Sequence, residues 1–216
     1  MQEKLLKKDL FGEVRLESCE DSYMIVRDAG QARFWLKWLA RALMRREARI
    51  LAALDGLHSV PQLVRIDKDA LARTFIDGRP MQEAQPRDPA FFDRASRLLR
   101  RLHTAGIVHN DLAKEPNILV DEAGNPAFID FQLAGMSTRR GRLFRALAYD
   151  DIRHLLKHKR TYCPQALTAR ERNILNKPSY GSRIWMRTVK PVYLFITRRI
   201  LGWSDREGAA DRGRQN

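Results

Sequence analysis

Cysteine, acidic residues and long apolar runs are all scarce in this chain, and glycine is almost missing from its first thirty residues. Cys19 and Cys163 stand far apart, and neither belongs to a CxxC or Cys–His cluster. That spacing argues against a disulfide framework and against a structural zinc site. No stretch approaches the ~18 consecutive apolar residues of a membrane span. The opening segment MQEKLLKKDL is charged where a secretory leader has an apolar core, so no leader is read. Acids number 26 against 40 lysines and arginines, giving a net charge of +14 and a pI near 10.4. Such a surface attracts phosphate-rich partners. No recognisable RNA- or DNA-binding motif accompanies the charge, so nucleic acid is not the expected partner. The expected location is the cytoplasm, with peripheral contact on an anionic inner membrane as an added option.

What is present suffices for a core. Apolar residues make up 44% of 216, enough for one domain or two small lobes sharing a cleft. Val14–Ser18 and Tyr23–Arg27 read as strands around a polar turn. A helical pattern runs from Arg33 to Leu54, with Gly56 as its stop. Two short strands follow, Gln62–Asp67 and Leu71–Ile76, and Asp77-Gly78-Arg79-Pro80 breaks the chain. Pro89 opens a helix carrying Phe91, Phe92, Leu98, Leu99 and Leu102 at helical spacing, ending near Gly106. Ile118–Val120 and Ala127–Ile129 form a strand pair, and from Arg139 onward the pattern is helical and basic. Strands with one helix first and helices later is α+β order. The expected layout is one domain over 1–203, a smaller β-rich part over 1–76 and a helical part over 80–203. Residues 204–216 are polar and predict a frayed tail.

The stretch from His109 to Gln132 carries the chemistry. It reads HNDLAKEPNILV, DEAGNPAF, then IDFQ. Asp111 follows the apolar run Ile107-Val108, and a carboxylate there can accept a hydroxyl proton. Asn117, on the lip of a strand, offers a hard oxygen ligand for magnesium. Asp130 leaves the end of a buried strand and offers a second. Lys114, inside the loop, can touch a transferred phosphoryl group. Base first, then two metal ligands, is the order used in phosphoryl transfer from a nucleotide. The plainer reading has Asp111 capping a turn, Asn117 in an Asx turn and Asp130 ending a strand. His109 is read as a brace for the loop, not as the base.

On these residues the chain resembles the protein-kinase-like superfamily, and within it the small bacterial RIO-like and lipopolysaccharide-core (Kdo-type) kinases. The similarity covers roughly residues 11 to 160. The resemblance implies a bilobal α+β fold, ATP and magnesium as cofactors, Asp111 as catalytic base, and Asn117 and Asp130 as metal ligands. It implies a strand cation on the nucleotide phosphates, which falls on Arg27, and a helix carboxylate paired with it, which falls on Glu47. Hinge backbone from Thr74 to Ile76 then faces adenine, and Gly12 is the one glycine left to serve a phosphate loop. Asp151 is implied as a brace for the catalytic loop. The segment 190–205 and the YCP at 162–164 resemble the tail of the bacterial subgroup.

Three departures from the family pattern stand out. Five residues separate Asp111 from Asn117, where the usual loop has four. Gln132 replaces the glycine after Asp-Phe, and Arg27 stands where lysine is due. Arginine keeps the charge but is bulkier and planar. The basic residues Arg33, Lys37, Arg41, Arg45 and Arg49 recur every four residues beside Phe34, Trp35 and Trp38. A packed helix with solvated cations is preferred there over a membrane-surface helix. The same choice applies to Arg183–Leu201. The expected activity is ATP-dependent phosphotransfer to a hydroxyl acceptor, either a protein serine or threonine or a lipopolysaccharide-core sugar. The alternative is a catalytically weak or inactive kinase fold acting as a scaffold.

Overall fold

The computed structural model describes residues 3–19 and 22–177. The helix expected over 183–201, the 190–205 segment and the tail from Ser204 lie outside the described residues. Met1–Asn176 form one compact unit.

The chain opens with three antiparallel strands, β1 (Glu3–Asp9), β2 (Gly12–Cys19) and β3 (Ser22–Asp28), followed by helix α1 (Lys37–Ala53) and strands β4 (Leu63–Ile66) and β5 (Ala70–Thr74). They make one sheet in the order β1-β2-β3-β5-β4. The sequence pattern does not predict β1. Its residues EKLLKKD lie at the sheet edge and five of them are charged, so no alternation of apolar and polar residues marks it. Charged edges are how sheets avoid pairing with other chains. Helix α1 starts four residues later than the pattern suggests. Leu36 precedes it and supplies no side-chain cap, and the amide of Arg33 is tied instead to the carbonyl of Leu10, 3.3 Å away, at the β1–β2 turn. Its inner face packs Ala40, Met44 and Ala48 with Leu71 of the sheet.

Beyond the link after Thr74 come β6 (Arg79–Pro80), the single turn α2 (Met81–Ala84) and α3 (Pro89–Thr104). Pro89 occupies the first turn of α3 and Asp88 caps it, accepting from the amide of Ala90 at 2.9 Å. Strands β7 (Ile107–Val108), β8 (Ile118–Val120), β9 (Pro126–Phe128) and β10 (Gly135–Met136) follow, then α4 (Arg142–Tyr162) and α5 (Ala169–Asn176). Thr168 and Glu171 close a capping box on α5, exchanging bonds of 2.8 and 3.2 Å. Phe91, Phe92, Phe128 and Phe131 are fully buried in a core that also takes Ile50, Leu51 and Leu54 from the end of α1. Removing one such phenylalanine costs about 3–5 kcal/mol.

Short strands pin both ends of the chemistry-bearing stretch. β7 leads into His109 and pairs with β10; β8 leaves Asn117 and pairs with β6 and β9; Asp130 follows β9. No helix among the described residues is long and apolar enough to cross a membrane.

Candidate active site

The loop from His109 to Asn117 is held from below by one face of α4. Asp151, buried, accepts from the backbone amides of His109 at 2.8 Å and Asn110 at 2.9 Å, and lies 3.2 Å from His103 Nε2. His158 Nε2 donates to the carbonyl of Leu112 at 2.8 Å, and the Tyr162 hydroxyl donates to Glu115 at 2.6 Å. Asp151, Leu155, His158 and Tyr162 are spaced for one helical face, so a single element grips the loop along its length. Burial, reinforced by Glu115, pushes the Tyr162 phenol well above its usual range.

His109 braces a different boundary. It is fully buried, and its Nε2 donates to the carbonyl of Ile129 at 3.0 Å. Its ring packs against Phe131, centroids 4.7 Å apart. Burial holds its imidazole below the ordinary 6.5, so it stands neutral and ties the loop to the strand that carries Asp130.

Asp111 is nearly buried, and its Oδ2 accepts from Asn117 Nδ2 at 2.9 Å and Lys114 Nζ at 3.0 Å. Asn117 Nδ2 also donates to the carbonyl of Asp111 at 3.0 Å. With the nitrogen so committed, the amide presents its oxygen elsewhere, the atom a metal takes. A 3-10 turn over Glu115–Asn117 that includes Pro116 brings the five-residue link from Asp111 round to Asn117. The amide of Ile129 donates to the carbonyl of Asn117 at 3.0 Å, which sets Asp130 one residue beyond Asn117's partner.

Asp130 is the unusual member. It takes a left-handed conformation, φ 62 and ψ 72, and its Oδ1 is buried with no hydrogen-bond partner. A buried carboxylate oxygen left unpaired costs about 1–3 kcal/mol, and strain of this kind gathers at functional sites. A cation fits that oxygen. Among the described residues no group of three or more His, Cys, Asp or Glu is placed to hold a metal ion. Magnesium needs none, since it is held by one or two protein oxygens together with phosphate and water. Asn117 and Asp130 would supply those oxygens, and the bound ion would offset charge on the transferring phosphoryl group.

Glu47, with 0% exposure, sits between two arginines. Arg27 Nε lies 3.5 Å from one oxygen and Arg73 Nε lies 3.5 Å from the other. These are ion pairs longer than hydrogen bonds. The Gln132 amide, with its oxygen turned to the guanidinium, lies against the face of Arg27, 3.1 Å from Nε, 3.2 Å from Nη2 and in contact with Nη1. From α1, Arg46 donates to the carbonyls of Ala134 at 2.6 Å and Leu133 at 3.3 Å, tying that helix to the segment after Asp130.

The remaining expected residues lie at the sheet. Gly12 has φ 123, and a Cβ there would meet the carbonyl oxygen of Asp28 at 2.0 Å. Its need for glycine is therefore explained by β2 meeting β3. The two-residue turn before it packs Phe11 onto the α1 core. Thr74 ends β5, exchanging bonds of 2.9 Å with Gln62, and Ile76 lies in the link beyond it. The brace expected of Asp151 is present; sequence reasoning missed Arg73, Arg46 and the parts His158 and Tyr162 play in the grip of α4. Arg73 was legible in principle: it shares with Leu71 the inward parity of β5. Asp151, His158 and Tyr162 recur at helical spacing, but only their partners reveal what that face does.

A β-sheet part with a carboxylate-bearing helix, a braced HxD loop, an Asn and a strand-end Asp define a protein-kinase-like fold of atypical kind. The chain belongs to the RIO domain family, whose pattern matches residues 21–171. It is 32% identical over 120 residues to a DNA damage-responsive serine/threonine-protein kinase, RqkA, of Deinococcus radiodurans, covering 49% of this chain and 18% of that protein. It is 36% identical over 95 residues to a probable bifunctional tRNA threonylcarbamoyladenosine biosynthesis protein of Methanospirillum hungatei, covering 44% of this chain and 18% of that one. The protein of the same description from Methanothermobacter thermautotrophicus is 36% identical over 97 residues, with 43% and 17% covered. The chain thus spans less than a fifth of the length of these relatives.

Proposed function

We propose that this chain is an ATP- and magnesium-dependent phosphotransferase that moves the γ-phosphoryl group to a hydroxyl acceptor. Asp111 takes the hydroxyl proton, and Lys114 meets the transferred group. Asn117 and Asp130 hold the metal. Arg27, paired with Glu47, lies on the nucleotide phosphates, and backbone from Thr74 to Ile76 faces adenine. Gly12 contributes by letting the β1–β2 turn form beside them. The single observation that carries the reading is the partnerless, buried oxygen of left-handed Asp130 beside the bonded Asp111–Asn117 pair. We also propose that the unit ending at Asn176 is one domain divided near Asp77–Pro80; the remainder of the expected 1–203 lies outside the described residues.

The expected outcome is that Asp111→Asn and Asp130→Ala each abolish transfer from radiolabelled ATP while circular dichroism stays unchanged. Retained transfer in either variant removes the mechanism.

The acceptor is proposed as a protein serine or threonine or a lipopolysaccharide-core sugar, and peripheral contact with an anionic membrane belongs to the second option. One surface supports that option. Phe34 and Trp38 are 86% and 69% exposed, and Trp38, Ala42, Arg45 and Arg49 line the outward face of α1. No acid occurs from Ala29 to Arg46. Exposed aromatics beside exposed cations suit an anionic lipid surface, although Arg41 of the same helix is paired with Asp69. Transfer to core oligosaccharide but not to peptide panels selects the glycolipid reading; the converse selects the protein.

A second reading, a nucleotide-independent scaffold, is favoured by the compact β1–β2 turn with Phe11 packed inward. No thermal stabilisation by millimolar MgATP decides for it, and magnesium-dependent stabilisation decides against it.

A further inference from the structure

Two departures from the kinase pattern, Arg27 for lysine and Gln132 for glycine, meet each other in space. The Gln132 amide oxygen lies within 3.2 Å of two Arg27 nitrogens and contacts the third. We propose that Gln132 and Arg73 are positioning residues that aim Arg27 at the nucleotide phosphates, so that arginine at position 27 works only in their company. The proposal rests on the kinase reading above.

The argument begins with shape. An ammonium group is a point charge that serves in any rotation, whereas a guanidinium is a planar fork that serves only when its plane is set. A glycine at position 132 would leave Arg27 held by Glu47 alone, at 3.5 Å and without a hydrogen bond. The glutamine amide, packed on the face of the guanidinium, is the second contact that fixes its plane. Glu47 must be fixed in turn, and Arg73 takes its other oxygen from β5. Strand register explains why Arg73 can: Arg27 pairs with Leu71 and Ile25 pairs with Arg73, so all four share one face of the sheet.

Charge points the same way. The buried Arg73 and the partly buried Arg27 share one fully buried carboxylate, which leaves the group at +1. Arg73 Nε has no hydrogen-bond partner. A buried uncompensated cation is costly, and an anion brought beside it removes the cost. The phosphates of a nucleotide are such an anion. Arg27→Lys, which restores the family residue, keeps that charge but loses the planar fork that Glu47 and Gln132 set, and so weakens the site.

Steady-state ADP release and MgATP thermal shift would be measured on the full chain, on Arg27→Lys, Gln132→Gly, their double variant, Arg73→Lys and Arg73→Met. Arg27→Lys and Gln132→Gly are each expected to raise KM for ATP about tenfold with a smaller change in kcat. The double variant should be no worse than either single, as for groups in direct contact. Arg73→Lys, which keeps the charge, should retain most of the binding that Arg73→Met loses. Equal or tighter MgATP binding by Arg27→Lys or Gln132→Gly, with wild type active, overturns the positioning roles alone. A wild-type chain that neither binds MgATP nor releases ADP overturns the kinase reading and this proposal with it. Should Gln132→Gly fail to fold, Gln132→Asn, which shortens the reach of the amide, gives the same test.

Discussion

The loop from His109 to Asn117 and the cluster around Glu47 both hold charge still, by different means. At the loop, Asp151 of α4 and Asp111 of the loop itself are met by direct hydrogen bonds of 2.8–3.2 Å from backbone amides, an imidazole, an amide and an ammonium group. In the cluster, Glu47 meets its two arginines only at 3.5 Å. Short bonds to backbone fix a geometry against any change of ligand. Longer ionic contacts leave room to tighten when another charge arrives. The difference suits the parts: proton transfer needs a base fixed to a fraction of an ångström, whereas phosphates can be gathered by an adaptable cation.

The comparison can be broken at four points. The largest effect is expected for Asp151→Ala. Two backbone amides lose their acceptor, at about 1–3 kcal/mol each when buried, and urea unfolding should show a loss of about 4 kcal/mol together with loss of ATP turnover. A drop below 1 kcal/mol would mean that the loop is not held by α4. Glu47→Gln comes next. It leaves the buried Arg73 and the partly buried Arg27 without a carboxylate, and about 3 kcal/mol should go; a stable variant would show that the cluster already admits water or counterions.

Acid should act on the loop. His109, His154 and His158 all have burial as the first cause of a lowered pKa. The folded state therefore resists their protonation and the unfolded state does not. Stability from this source is full above the ordinary 6.5, and it is lost as pH falls below that value toward the folded pKa values. The urea midpoint should fall between pH 7.5 and 5.5, and a flat profile would contradict the burial of these rings. The smallest stability effect belongs to Lys114→Ala. Its side chain is 62% exposed, so the melting point should move by the equivalent of no more than about 1 kcal/mol while transfer falls.

The sequence is most legible where residue type and period agree. The α3 helix reads from Pro89 and its phenylalanines because proline, cap and periodicity coincide, and β8 and β9 read from apolar triplets around a turn. Strand β1 does not read, because an edge strand exposed on both faces keeps no apolar alternation. The start of α1 is set by a bond from Arg33 to Leu10, a partner more than twenty residues away. Asp111, Asn117 and Asp130 stand out by order along the chain. The coupling of Arg27, Glu47, Arg73 and Gln132 does not, because it joins β3, α1, β5 and a turn. Arg27 and Gln132 look like two separate defects in one dimension and become neighbours in three.

Gly12 bears on how substitution data from this chain should be interpreted. A Cβ at that position would lie 2.0 Å from the Asp28 carbonyl, so every side chain would prise β2 from β3. A saturation scan scored by activity would rank position 12 among the least tolerant, and habit would credit that to contact with a nucleotide. Scored instead by soluble yield, the same position should be equally intolerant with no nucleotide present. Sensitivity at this glycine therefore reports on the assembly of the sheet and says nothing about what the cleft binds.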